Sequence, residues 1–199
     1  MFGGTFDPVH LGHLIVAEEV SDRLGLDEVL VVPAGRPWFK DGQQVTGARH
    51  RLAMVRLAAE GDINLRISEA EVARPGPSYT ADTLEHLKRA RGAETDLYVV
   101  VGLDALAKID RWHRPERVLE LCTLVGVARP GSDTLDRSAL DSLAAGAGAG
   151  VILVDGPMIG ISSTEIRERV ARGKSVRYLV PPAVETYIHE HGLYRSGHE

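Results

Sequence analysis

The sequence predicts an α/β fold, a Rossmann-like doubly wound sheet, mainly parallel, with helices on both faces. Two observations carry that expectation. Short apolar runs rich in β-branched residues alternate with segments of helical periodicity, the order that βαβ units produce. The runs are continuous rather than alternating, as strands covered on both faces require.

Taken in order, the chain opens Met1-Phe2-Gly3-Gly4. In a doubly wound sheet the first strand is central and runs into such a glycine turn. A typical strand needs about five residues, and only Met1 and Phe2 precede the glycines. The first strand is therefore expected to be nearly absent, and the functional chain to begin upstream of Met1. A helix follows with Leu14, Ala17, Val20 and Leu24 on one stripe and Gly25 as its stop. Glu28–Pro33 reads as a buried strand. His50–Glu60 is helical with Leu52, Val55 and Ala59 inward. Asn64–Ser68 alternates, as a strand near an edge does, and Thr80–Ala90 is a helix carrying Leu84 and Leu87. Asp96–Gly102, Cys122–Ala128 and Gly150–Asp155 are further buried strands, and Leu135–Ala144 is a helix. Thr164–Arg172 and Pro182–His191 are the closing helices. The glycines at 146, 148 and 150 imitate a dinucleotide loop but precede a strand, whereas such a loop must follow one; they read as a connector.

A length of 199 residues suits one domain with a core large enough to need no disulfide or structural metal. The single cysteine, Cys122, sits in an apolar run and reads as a buried structural thiol. One cysteine also suits a reducing, cytoplasmic compartment. The longest apolar runs have strand length, short of the roughly 20 residues a membrane span needs. A net charge of −5 argues against a nucleic-acid partner. It leaves room for a small anionic ligand, since local charge decides that. The run Ile166–Arg177 holds five basic residues and one acidic, though such a run is usually a solvated helix face. A homo-oligomer stays open.

Two strings carry chemistry. The first is Gly3-Gly4-Thr5-Phe6-Asp7-Pro8-Val9-His10-Leu11-Gly12-His13. Its glycines let the backbone approach a ligand, and it leads into a helix start that favours an anion. His10 and His13, three apart, share a face and can each donate to a phosphate. A tight turn with two surface histidines, or half a metal site, would explain only parts of the string. The second is Ile161-Ser162-Ser163-Thr164-Glu165-Ile166-Arg167. Ser162 and Glu165 have capping-box spacing, and capping alone would account for them. Ser163 and Thr164 also offer hydroxyls to a phosphate, and Arg167, one turn in, can fork onto the same group.

Together the strings resemble the nucleotidyltransferase superfamily with His-x-Gly-His and Ile-Ser-Ser-Thr-x-x-Arg signatures. The resemblance spans nearly the whole chain and is closest to the bacterial nicotinate mononucleotide adenylyltransferases. Gly102-Leu103-Asp104 through Trp112, Pro77-Ser78-Tyr79-Thr80 with Asp82-Thr83-Leu84, Arg129-Pro130-Gly131 and the closing Leu193-Tyr194 add to it. It implies one nucleotidyltransferase domain over residues 1–199, with the segment from about 161 packed on it. It implies AMP transfer from ATP to nicotinic acid mononucleotide, giving deamido-NAD and pyrophosphate, with Mg²⁺ carried on the ATP phosphates. His10, His13, Lys40 and Arg167 would hold those phosphates. Gly4, Thr5, Phe6, Gly102, Asp104 and the stretch Ile161, Ser162, Ser163 and Thr164 would hold the rest of ATP. Tyr79, Thr80 and a stacking Trp112 would form the pyridine site, and Arg129 would meet the acceptor's phosphate. Trp38-Phe39 stands where the family often carries a second proline and a histidine.

Single residues keep plainer readings. A tryptophan is more often core than platform, but Arg111, His113 and Arg114 around Trp112 suggest a polar, exposed setting. Asp104 could cap the helix after its strand. Lys40 could be merely solvated. A phosphopantetheine or cytidylyltransferase acceptor, or a regulatory module without turnover, are the competing functions.

Overall fold

The computed structural model describes residues 1–40, 44–128, 150–156 and 159–195. Among the described residues six strands form one sheet in the order β3-β2-β1-β4-β5-β6, and every neighbouring pair is parallel. They are β1 (Phe2–Gly4), β2 (Val29–Pro33), β3 (Leu65–Ile67), β4 (Tyr98–Gly102), β5 (Thr123–Val127) and β6 (Val151–Val154). The helices are α1 (Leu11–Leu24), α2 (Ala48–Ala58), α3 (Ala70–Ala73), α4 (Thr80–Arg91), α5 (Leu103–Leu106), α6 (Pro115–Leu121), α7 (Ser163–Ala171) and α8 (Pro182–Glu190). Two 3₁₀ turns, Trp38–Lys40 and Ile109–Arg111, complete the described elements.

The sheet sorts its side chains to two faces because successive residues of a strand point opposite ways. Val29 and Val31 of β2 join a core with Ala17 and Val20 of α1, Val55 of α2, Ile166 of α7 and Ile188 of α8. Leu30 and Val32 join a second core with Leu84 of α4, Leu106 of α5, Val118 of α6 and Cys122. Helices thus cover both faces, which is why the strands read as unbroken apolar runs.

The first strand is present, against the expectation. Gly3 and Gly4, assigned to the turn, are themselves strand, pairing with Val32 and Pro33 of β2. On the other side Phe2 pairs with Val100 of β4. The Met1 ammonium donates to the Tyr98 carbonyl at 2.6 Å. Sequence reasoning also passed over α3 and α6 and gave α5 no bounds, naming it only as the helix that Asp104 could cap. Both α3 and α5 are single turns of four residues. Helix α6 begins with Pro115 at its first position, behind Arg114 at φ 53°. The helix expected at Leu135–Ala144 and all of the glycine connector but Gly150 lie outside the described residues.

Strand order reverses between β1 and β4, whose helices leave to opposite faces. A ligand crevice forms at the carboxyl ends of the strands at such a point. From the pair Phe2–Val100 the register brings Gly4 and Gly102 level there, two residues on.

Candidate functional site

The crevice is built from the turn between β1 and α1. Phe6 holds φ 49°, uncommon for a residue with a side chain. Its buried ring lies edge-on to Phe2, 5.7 Å between centroids, and to His13, 5.0 Å. A Cβ on Gly4 would come within 2.9 Å of the Phe6 ring, so a side chain there would have to displace that ring. Asp7 and His10 are buried, at 2% and 4% exposure. The His10 and His13 rings stack with centroids 3.6 Å apart. Gly12 leaves the room for this, since a Cβ there would sit 3.1 Å from His10 Nδ1.

The backbone N–H of His10 donates to His13 Nδ1 at 3.1 Å. A neutral His13 ring therefore carries its proton on Nε2, the nitrogen that can donate. The helix start itself is less open than expected. The Leu11 N–H is taken by the Leu179 carbonyl at 2.9 Å, so the anion affinity of α1 rests more on side chains and dipole than on spare N–H groups.

The second signature docks on the first. Ser162 caps α7, accepting from the Glu165 N–H at 3.1 Å. Ser163 Oγ donates to the Pro8 carbonyl at 2.8 Å. Arg167 donates through Nη1 to the Asp7 carbonyl at 2.8 Å and through Nη2 to Thr164 Oγ1 at 3.3 Å. The hydroxyl of Ser163 and part of the Arg167 fork thus brace the turn. Ile161 lines a small cavity with His10, Gly12 and His13, so residues about 150 apart in sequence share one wall.

The third group lies at the start of α4. Ser78 Oγ accepts from the Gly35 N–H at 2.9 Å and the Arg36 N–H at 3.3 Å, tying α4 to the loop after β2. Tyr79 precedes Thr80, the first helical residue. The Tyr79 ring stacks on His113, 4.2 Å between centroids, with Trp38 at 6.1 Å. His113 was not singled out from the sequence; its only signal was the polar run around Trp112. Thr83 donates to buried Glu71 at 2.7 Å, and burial pushes the Glu71 carboxyl above the ordinary glutamate range. Glu71 too was missed.

Other expected residues fall as follows. Trp112 is 9% exposed and packs in the second core, contrary to the exposed setting its neighbours suggested. Its indole Nε1 is buried without a hydrogen-bond partner among the described residues. Asp104 is exposed in the first turn of α5, and the cap position belongs to Gly102, so the capping reading fails. Lys40 ends the 3₁₀ turn after β2. Arg129 lies outside the described residues.

A larger concavity, about 600 Å³, is at the opposite ends of the strands. Its lining includes Asp27, Glu28, Glu94 and Asp96, with Glu28 already paired to Arg91. An acidic rim does not suit a polyphosphate. Among the described residues no group of three or more His, Cys, Asp or Glu is placed to hold a metal, and no helix is long and apolar enough to cross a membrane.

Comparison with known proteins bears on what this crevice does. A family model described as cytidylyltransferase-like matches residues 1–169. A probable nicotinate-nucleotide adenylyltransferase of Roseiflexus sp. strain RS-1 is 47% identical, over 98% of this chain and 96% of that one. One of Dehalococcoides mccartyi strain 195 is 45% identical, over 98% and 95%. Among solved structures, the Plasmodium falciparum nicotinic acid mononucleotide adenylyltransferase complexed with NaAD superimposes with a TM-score of 0.79. At 21% identity, over 97% of this chain and 95% of that chain, it shares the fold.

Proposed function

This chain belongs to the cytidylyltransferase-like family, and we propose that it is an adenylyltransferase moving AMP from ATP to nicotinic acid mononucleotide. The products are deamido-NAD and pyrophosphate, and the setting is NAD biosynthesis in the cytosol. One observation carries the reading. The start of α7 is hydrogen-bonded onto the Asp7-Pro8 turn that leads into α1, so the helices that carry His13 and Arg167 begin at one turn, which supports a triphosphate site there. Relatives at 45–47% identity bear the name of that activity.

The acceptor phosphate has a second pKa of about 6 and is largely a dianion at neutral pH. Its oxygen attacks the α-phosphorus of ATP in line. The new P–O bond forms as the bond to the β-phosphate oxygen breaks, and pyrophosphate leaves with that electron pair. No general base is needed, so the chain's task is alignment and charge neutralisation. His13 donates from Nε2, and His10, Lys40 and Arg167 add positive charge or donors around the phosphates. Mg²⁺ enters on the ATP phosphates as part of the substrate.

The pyridine ring would rest by Tyr79 and Trp112, with its carboxylate toward the N–H groups opening α4. An amide in that place sets its NH₂ against a donor. The nearest carboxylate that could welcome the NH₂, Asp82, is paired with Arg114. The indole N–H of Trp112, without an acceptor among the described residues, is a further donor suited to an acid.

The test is pyrophosphate release from MgATP across a panel of acceptors. Nicotinic acid mononucleotide should be best. Its amide should be lower in kcat/KM by roughly 5- to 150-fold, the cost of an unsatisfied buried polar group. Phosphopantetheine should be inert. His13→Ala should lower turnover roughly 100- to 1,000-fold with native circular dichroism. An acid-to-amide ratio near one would remove the α4 start as the ring reader. No release with any acceptor would leave the regulatory module as the reading.

A further inference from the structure

Beneath the phosphate turn lies a buried polar network that the chemistry above does not use. Arg51, on the inward face of α2, is 1% exposed. A buried guanidinium needs its donors met, and Arg51 meets them on three carbonyls from three separate segments. Nε donates to Thr46 at 2.7 Å, Nη1 to Thr5 at 2.7 Å and Nη2 to Gly35 at 3.0 Å. Those carbonyls belong to the turn after β1, the loop after β2 and the approach to α2. Burial pulls the guanidinium below its usual range, and the nearby Asp7 carboxylate pushes back.

Asp7 is the hub. Its Oδ2 accepts from the Thr46 N–H at 3.2 Å and its Oδ1 from the Tyr194 hydroxyl at 2.8 Å, while its carbonyl accepts from Arg167. Tyr194 lies beyond α8, 187 positions from Asp7. It holds a left-handed backbone, φ 63°, a strain that only surrounding contacts can maintain. Burial and the Asp7 charge push its phenol far above the ordinary range, so it stays a donor at any working pH. A tyrosine that merely filled space would not need its hydroxyl aimed at a carboxylate. Buried ion pairs contribute little net stability, because desolvation offsets their attraction. What such a network does supply is a fixed geometry.

We propose that Tyr194 and Arg51 are positioning residues for the transfer reaction. Through Asp7 and the carbonyls of Thr5, Gly35 and Thr46 they hold the turn from which His10, His13 and Arg167 act. This rests on the adenylyltransferase reading of the same site.

Tyr194→Phe removes one hydroxyl and keeps the ring, so it is the primary test; Arg51→Lys, which can reach fewer carbonyls, is the harsher second variant. Tyr194→Phe should lower kcat about tenfold, as a small misplacement of phosphate-binding groups does. The acceptor KM should stay within about twofold. Because Tyr194 acts in part through Asp7 on Arg167, the double variant Arg167→Ala/Tyr194→Phe should fall short of the full extra tenfold loss relative to Arg167→Ala alone. A general loss of stability would instead multiply the two effects. Native kcat in folded Tyr194→Phe, or a full extra tenfold loss in the double variant, overturns the proposal. Should the unaltered chain be inactive with every acceptor, the functional reading falls separately. MgATP affinity by calorimetry then decides the positioning on the same variants: non-additive weakening supports it, and native affinity in Tyr194→Phe overturns it.

Discussion

The residues that decide this site are those whose polar atoms have been spent or left over. His13 spends Nδ1 on the His10 backbone, which puts the proton of a neutral ring on Nε2. Trp112 keeps a buried N–H with no acceptor among the described residues. Glu71 is the clearest titrating case. Burial raises its carboxyl above the ordinary 4.5, against the hydrogen bonds of Thr83 and Ser78 and the charge of Arg74, which lower it. The sign of the pH effect follows. Between the unfolded and folded values, the folded chain holds a proton that the unfolded chain has lost. Folding then takes up a proton, so stability falls as pH rises through that window. Glu71→Gln keeps an acceptor for Thr83 and removes the titration. Thermal midpoints of the two proteins should converge near pH 4 and diverge toward neutral pH, the variant being the more stable. Parallel curves across about pH 4 to 8 would mean that Glu71 ionises normally.

At the scale of elements, the signatures matter because of where their helices dock. Each was legible as a helix start, but only packing joins them. The loop after β2 shows how tight that packing is. A Cβ on Gly35 would lie 2.1 Å from the backbone oxygen of Glu71, and neither side can yield as a flexible side chain would. Gly35 also donates to Ser78 and accepts from Arg51. Gly35→Ala should therefore cost about 3 kcal/mol, the upper end of ordinary overpacking. For a chain of this length the midpoint should fall by roughly 6–12 °C. Gly150, with nothing among the described residues within 4 Å of an added Cβ, is the control, and its alanine variant should stay within about 1 °C. Equal midpoints for the two variants would show that β2 and α3 are not pressed together. The inward stripe of α2 illustrates what sequence patterning can and cannot say. Leu52 and Val55 were placed correctly, and Arg51, one turn before Val55, lies on the same face. A charged residue on an apolar face was the available signal for a buried network, but its partners could not be named from it.

At the scale of the molecule, helices from both ends of the chain seal one core, and α4, α5 and α6 from its middle seal the other. Cys122 reports on one of them. It is 7% exposed, its Sγ donates to the Val118 carbonyl at 3.2 Å, and burial pushes its thiol up to about 12. Only the thiolate reacts readily. Alkylation by iodoacetamide at mild pH should therefore be negligible in native buffer and should rise with the unfolding transition in urea. Complete labelling within minutes of a chain with native circular dichroism would show that the α6–β5 corner opens locally.

The sequence by itself determined the class of fold, five of the six strands, the long described helices and both phosphate signatures. Each is encoded locally: by unbroken apolar runs, by a 3.6-residue stripe with a glycine stop, or by a serine cap three residues before a glutamate. Tertiary structure decided the rest. A strand as short as Phe2–Gly4 is stable because β2 and β4 flank it, not because of its own residues. Trp112 is buried despite polar neighbours because α4 and α6 close over it. The Asp7–Tyr194 bond joins positions 187 apart. No local pattern sets which distant carbonyl a buried donor meets; the path of the chain through the sheet sets it, by bringing that carbonyl within 3 Å.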